Sequence, residues 1–247
     1  MTRKPVHIRA KPGDVAQYVV AVGDPARAEF IANELLRDSR LVNRERGFLV
    51  YTGYYDGLRV SVAVHGVGGP SSAIVFEELH MLGAKTIIRL GTCGGLVEWL
   101  DIGDAVVVTG ASYNPGGTLG AYVPDACMTT SPNPILTTIL YDEAKKVCKK
   151  VFLGPVFSSD AFYAEDPQFA RKWASRGVIA VEMEAATLFA LATLRGFNAA
   201  AILIVSDNLV VPGKEELKTH EELKEYVRRA AIAVLNTFKE YEARQSR

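Results

Sequence analysis

Arginines, glycines and carboxylates recur at one kind of place along this 247-residue chain, where an apolar run stops. The stretch Lys85 to Gly95, KTIIRLGTCGG, shows the pattern best. Thr86, Ile87 and Ile88 read as a buried strand, Arg89 interrupts it, and Gly91-Thr92-Cys93-Gly94-Gly95 reads as a flexible turn. A cation in an apolar strand is costly unless it is paired. Glycines let backbone N–H groups approach a ligand closely. Arg89 adds a planar fork of donors and Thr92 a hydroxyl, a set that suits a phosphate-like oxyanion. A strand end whose arginine pairs with an internal carboxylate is the competing reading, and this stretch leaves both open. Arg27 raises the same question. It follows the strand Tyr18 to Val22 and Gly23-Asp24-Pro25, in the first turn of a helix that continues to Leu36. A positive charge there opposes the helix dipole. It makes sense where an anion binds the free N–H groups.

Acids and aromatics close other apolar runs. Val178 to Val181 passes into Glu182-Met183-Glu184, Ala199 to Val205 ends in Ser206-Asp207-Asn208, and Val151 to Val156 leads to Phe162-Tyr163. In open α/β sheets, ligands bind beyond the carboxyl ends of strands. Gly23 and Arg27, His65 and Gly66, Arg89 and Thr92, Phe162 and Tyr163, the Glu182–Glu184 run and Asp207 all fall at such ends. The arginines point to an anion, the carboxylates to hydroxyl recognition and acid–base work, and the aromatic pair to a flat ring.

The elements that must position these residues alternate in type. After the first helix comes a charged loop, Asn43 to Gly47. Leu49 to Tyr54 and Leu58 to Val64 read as a hairpin turning at Asp56-Gly57. His65 to Pro70 is a second glycine-rich turn before a helix, Ser71 to Leu82, whose Glu77 and Glu78 read as solvent-facing or internally paired. Asp104 to Thr109 is a strand, Tyr113 to Ser131 a long surface loop, and Asn133 to Lys149 a helix. A short helix over 166–176, a helix over Ala185 to Arg195 and an amphipathic terminal helix over 214–244 complete the chain. Neither a repeat nor a linker-like shift in composition appears. The expectation is one α/β domain, residues 1–247, with a mixed, mostly parallel central sheet flanked by helices.

Composition narrows the partners. Apolar residues make up 49% of the chain and the formal net charge is zero, without a long basic run. That argues against a nucleic-acid groove or an anionic membrane surface. No apolar run approaches a membrane span and the first residues lack a secretory h-region, so the expectation is a cytoplasmic protein. Cys93, Cys127 and Cys148 are widely spaced, with no Cys/His ligand set, so no metal is expected and three free thiols are.

At this point the motifs VGDPARA (22–28), NRERGFLVYTG (43–53), IIRLGTCGG (87–95), SSDAFYAED (158–166), VEMEAATLF (181–189) and VSDN (205–208) resemble one family. It is the hexameric purine nucleoside and uridine phosphorylases, above all the archaeal purine nucleoside/5′-methylthioadenosine phosphorylases, over nearly the whole chain. The resemblance implies a nucleoside phosphorylase-like fold. It implies reversible phosphorolysis of a purine nucleoside to free purine and (deoxy)ribose 1-phosphate, with no metal or organic cofactor and phosphate as co-substrate. It assigns Gly23, Arg27, Arg89 and Thr92 to phosphate, with Arg46 reaching in from a neighbouring subunit. It assigns Glu184 to the ribose hydroxyls, Met183 to the underside of the sugar beside Glu182, and His7 of the neighbour to the 5′ position. Phe162, with Tyr163, flanks the base, and Asp207 is the general acid. The implied assembly is a homohexamer, a trimer of dimers. One departure stands out: relatives often carry an Arg after the SDN-type Asp, whereas Leu209 to Gly213 offers none, leaving Asn208 and Lys214 as the nearest candidates to assist Asp207.

Three other readings compete. Uridine phosphorylases usually carry a Gln-x-Arg pair after the Phe-Tyr, and Ala164 to Phe169 lacks it. A hydrolytic nucleosidase of the same fold has no need of Arg27, Arg46 and Arg89 together. A non-catalytic nucleoside-binding protein has no need of the arginine set with Glu184 and Asp207.

Overall fold

The computed structural model describes residues 4–164 and 166–245, so Glu165 of the 158–166 motif lies outside it. In chain order it contains β1 (Tyr18–Val22), α1 (Pro25–Leu35), β2 (Arg37–Asn43), a 3₁₀ turn (Glu45–Gly47), β3 (Val50–Tyr55), β4 (Leu58–Val64), α2 (Gly69–Met81), β5 (Thr86–Gly95), β6 (Ala105–Tyr113), α3 (Gly117–Tyr122), α4 (Pro134–Val147), β7 (Val151–Ser158), α5 (Phe169–Ala174), β8 (Ala180–Glu182), α6 (Ala185–Arg195), β9 (Asn198–Asn208) and α7 (His220–Gln245). The strands form one mixed, mostly parallel sheet in the order β2-β3-β4-β1-β5-β8-β7-β6-β9, and β5 also pairs with β9. That extra pairing closes β5, β8, β7, β6 and β9 into a ring, leaving β1 to β4 as an open wing.

β1 is apolar at every position because both of its faces are covered. Val19 and Ala21 join the core under α2 and α6, with Phe76, Leu79, Leu188 and Phe189. Val20 and Val22 join the core under α1, α4 and α7, with Ile31, Leu140, Val234 and Phe238. Ile87 and Ile88 on β5, and Leu203 and Ile204 on β9, divide between the two cores in the same way. This is the two-residue period of a strand.

Several expectations are corrected. Gly91 to Gly95 is not a turn but the second half of β5, hydrogen-bonded along β9 as far as Gly95–Asn208. Its glycines admit side chains crossing the sheet rather than a bend. β2 escaped the sequence reading because RDSRLVN is a polar edge strand paired only with β3, through two register shifts, and shows no apolar alternation. The terminal helix begins at residue 220, where Thr219 and Glu222 cap it reciprocally: Thr219 N–H donates to Glu222 Oε2 at 2.8 Å and Glu222 N–H to Thr219 Oγ1 at 3.3 Å. The loop after β6 contains α3. Glu77 is internally paired, receiving Arg195 Nη2 at 2.7 Å and so tying α2 to α6. The three cysteines are free. No helix among the described residues is long and apolar enough to cross a membrane.

Candidate active site

The site grows from the end of β1. Asp24 caps α1, accepting the Ala26 N–H at 2.9 Å, with Pro25 in the first turn where its missing N–H costs nothing. Arg27 follows and is buried, 7% exposed. Its Nη1 donates to the Leu90 carbonyl at 3.2 Å, while its Nε has no partner. Burial, with the Arg89 charge nearby, pushes the Arg27 guanidinium down to about 10. A buried cation beside a second cation is destabilising by itself, a cost that an anion bound here would offset.

Arg89 on β5 is 4% exposed. Its guanidinium folds back over Gly91, where a Cβ would overlap Nη1, so glycine leaves room for that arrangement. Nη2 donates to Glu184 Oε2 and lies 3.3 Å from Glu182 Oε2, while Nε and Nη1 are buried without partners. Burial works against the Arg89 charge, but Glu184 and Glu182 more than compensate. The pairing with internal carboxylates is thus present, and two donors are left over. Nη2 is anchored to the carboxylates, while Nε and Nη1 remain donors without partners.

β8 runs antiparallel to β5, with Gly95 opposite Ala180 and Gly94 opposite Val181. Its end thus returns toward Arg89. Glu182 caps α6: it accepts the N–H groups of Glu184 at 2.8 Å and Ala185 at 2.9 Å, and also the Ser158 hydroxyl. This releases Glu184, which occupies the N-cap position without capping. Glu184 instead accepts the Gly68 N–H at 2.6 Å on Oε1 and Arg89 on Oε2. Gly68 can deliver that N–H because it holds φ 87°. Burial alone would raise the Glu184 carboxyl, yet Arg89 and the other donors hold it below the usual range. His65, fully buried at the end of β4, donates Nδ1–H to the Gly66 carbonyl at 2.8 Å and leaves Nε2 unpartnered. Burial pushes its ring down to about 4, so it is neutral beside the two arginines. Gly23 fits this turn closely, since a Cβ there would meet Gly66 O at 3.1 Å.

Asp207 reaches the same strand from β9. A register shift between Cys93 and Gly94 sets Asp207 opposite Gly94, where a Cβ would come to 3.0 Å from Asp207 Oδ2. Ser206 donates to Asp207 Oδ1 at 2.7 Å. Burial raises the Asp207 carboxyl, against the lowering pull of the Ser206 bond. Asn208 does not orient it: Nδ2 bonds Leu100 O at 2.8 Å and Oδ1 accepts the Val210 N–H at 3.0 Å. Lys214 is turned to Asp101, 2.8 Å away. Thr92 lies between these groups on β5, partly buried.

Arg27, Arg89, Glu182, Glu184 and Gly23 thus meet, with Thr92 farther along β5 and Asp207 on β9 opposite Gly94. Other expected residues stand apart. Met183 lines a small cleft with Tyr113, Asn114, Thr118 and Asp160, where α3 packs beside α6. Phe162 and Tyr163 form an edge-on pair 5.0 Å apart and are 63% and 83% exposed. Arg46 is exposed and left-handed at φ 56°. His7 sits near Phe48, with ring centroids 6.3 Å apart. His65, Gly68, Ser158 and Ser206 carried no role in the sequence reading. Only their position at strand ends and turns pointed to them.

A model of the phosphorylase superfamily matches residues 17–241. A purine nucleoside phosphorylase DeoD-type from Caldanaerobacter subterraneus subsp. tengcongensis is 39% identical over 230 residues, spanning 93% of this chain and 98% of the relative. A guanosine phosphorylase from Halorubrum lacusprofundi is 37% identical over 240 residues, 96% and 98% of the two chains. A DeoD-type purine nucleoside phosphorylase from Exiguobacterium sp. is 37% identical over 236 residues, 94% and 99% of the two chains. Matched over nearly its whole length, this chain belongs to the phosphorylase superfamily.

Proposed function

We propose that this protein is a purine nucleoside phosphorylase, a pentosyltransferase that moves the sugar of a purine nucleoside from the base to inorganic phosphate. The observation that carries the reading is the buried arginine pair. Arg27 Nε and Arg89 Nε and Nη1 are donors without partners, and Glu184 holds Arg89 in place. Buried guanidinium groups in that condition fit an oxyanion.

Phosphate, held by Arg27, Arg89, Thr92 and the Gly23 backbone and completed by Arg46 of a neighbouring copy, attacks C1′. The C1′–N9 bond breaks and its electron pair leaves with the base. The sugar gains oxocarbenium character, as in glycoside hydrolysis. Glu184, ionised, accepts the ribose hydroxyls; Glu182 keeps it in position by taking over the helix cap. Met183 lies under the sugar and Phe162 and Tyr163 flank the base. Asp207 gives the leaving purine its proton, and its burial favours the protonated form needed for that. Ser206 takes the orienting part that no nearby Arg supplies. The assembly is a homohexamer of the trimer-of-dimers kind, with His7 and Arg46 working across subunits, in the cytoplasm.

The test measures cleavage of inosine, guanosine, adenosine, 5′-methylthioadenosine and uridine with and without phosphate, and identifies the sugar product. Phosphate-dependent release of purine with pentose 1-phosphate is expected. Preference for uridine, release of free ribose without phosphate, or binding without turnover would each replace this reading with a different one.

A further inference from the structure

Glu78 on α2 is 6% exposed and makes contacts that neither the arginine pair nor Asp207 requires. Its carboxylate accepts successive backbone N–H groups of the N-terminal segment: Val6 at 2.9 Å, His7 at 2.9 Å and Ile8 at 2.6 Å. It also lies 2.7 Å from His7 Nδ1. An ionised carboxylate only accepts, so Nδ1 must be the donor. In the neutral ring, Nε2 then carries the lone pair. The segment is braced from its other side. Asn43 accepts the Arg9 N–H at 2.9 Å and donates to the Phe48 carbonyl at 2.5 Å, and Phe48 stands edge-on to His7. The His7 ring is thus held in place with Nδ1 directed at Glu78, and about a quarter of its side chain is exposed.

We propose that Glu78 is a positioning residue that sets 5′ specificity: by holding His7 as the Nδ1–H tautomer it makes Nε2 a hydrogen-bond acceptor, which selects nucleosides with a 5′-hydroxyl over 5′-deoxy and 5′-methylthio nucleosides. This rests on the reading above, in which His7 reaches the 5′ position of a neighbouring copy's substrate. A hydroxyl donates to Nε2. A methyl or thioether group has no proton to give and would leave Nε2 unpartnered once water is excluded.

The experiment compares kcat/KM for inosine and 5′-deoxyinosine in the wild type, Glu78→Gln, His7→Ala and the double variant. The wild type should favour inosine by about 3- to 10-fold, the range of one net hydrogen bond. Glu78→Gln can face His7 with its amide N–H₂ and so permits the other tautomer. It should bring the ratio toward one while leaving the KM for phosphate unchanged. In the His7→Ala background it should have no further effect on the ratio, because the two residues act as a unit. If Glu78→Gln slows both substrates equally with the ratio intact, or changes the ratio as much without His7, the inference is overturned. Ring ¹⁵N shifts of wild-type His7 decide the tautomer without any variant, and an Nε2–H tautomer overturns it too. A wild type that cleaves both substrates equally defeats this inference alone. One that cleaves neither in the presence of phosphate defeats the functional reading as well.

Discussion

Arg27 and Arg89 are assigned to one ligand, but the structure gives them opposite consequences for stability. Arg27 has no carboxylate partner within hydrogen-bond reach among the described residues, and burial moves it down from the ordinary guanidinium range to about 10. At ~1.4 kcal/mol per pH unit, holding that charge in the folded protein costs about 3 kcal/mol. For a base with a lowered folded pKa, the penalty is full below pH 10 and fades as the pH rises above it. Arg27→Met removes it and loses the bond to the Leu90 carbonyl, worth about 1 kcal/mol. The net gain of about 2 kcal/mol should raise the melting temperature by roughly 4–8 °C for a chain of this size. Arg89→Met leaves Glu184 buried without its cation and should lose about 3–5 kcal/mol. Glu184 is held low in the wild type, so its contribution is present above the ordinary carboxylate pKa and lost as the pH falls. In the variant burial pushes it up instead, so the deficit should widen as the pH rises from acid to neutral. Both variants lose charge-assisted bonds to phosphate, each worth about 1.5–3 kcal/mol, so the KM for phosphate should rise roughly 10- to 150-fold in both. The assay is thermal unfolding without phosphate at fixed protein concentration, paired with phosphate kinetics. Equal destabilisation by both substitutions, or unchanged phosphate kinetics in a folded Arg27→Met, would refute the reasoning.

Asp207→Asn keeps size and capping ability but not the proton. It should slow inosine phosphorolysis by about 10²–10⁴-fold and spare 7-methylguanosine, whose base is already cationic; equal loss on both would remove Asp207 as the donor. Gly91→Ala should displace the Arg89 guanidinium, because the added methyl overlaps it; the KM for phosphate should rise, and unchanged phosphate kinetics would count against the folded-back arginine. Mixed oligomers of Arg46→Ala and Arg27→Met subunits should recover activity that neither variant has alone, since some sites regain both arginines; no recovery in verified mixed oligomers would count against shared sites.

The sequence by itself determined the alternation of strands and helices and the candidates at the strand ends. Both follow from local signals: two-sided apolar runs such as Tyr18 to Val22, and cations or carboxylates where those runs stop. It did not determine how the ends meet. Gly91 to Gly95 looked like a turn because local propensity knows nothing of β9, whose parallel ladder extends β5 through five residues of which three are glycine. By their residue type alone Glu182 and Glu184 were alike, acids two residues apart, and only the family resemblance singled out Glu184. Only the path of β8 against β5 gave one to the helix cap and turned the other to Arg89 and the Gly68 N–H. His65 and Glu78 were visible as polar residues but had no legible task, since their partners depend on how β4 and α2 pack against other segments. Such long-range burial decides which donors are satisfied and which are left without a partner, as Arg27 Nε and Arg89 Nε and Nη1 are.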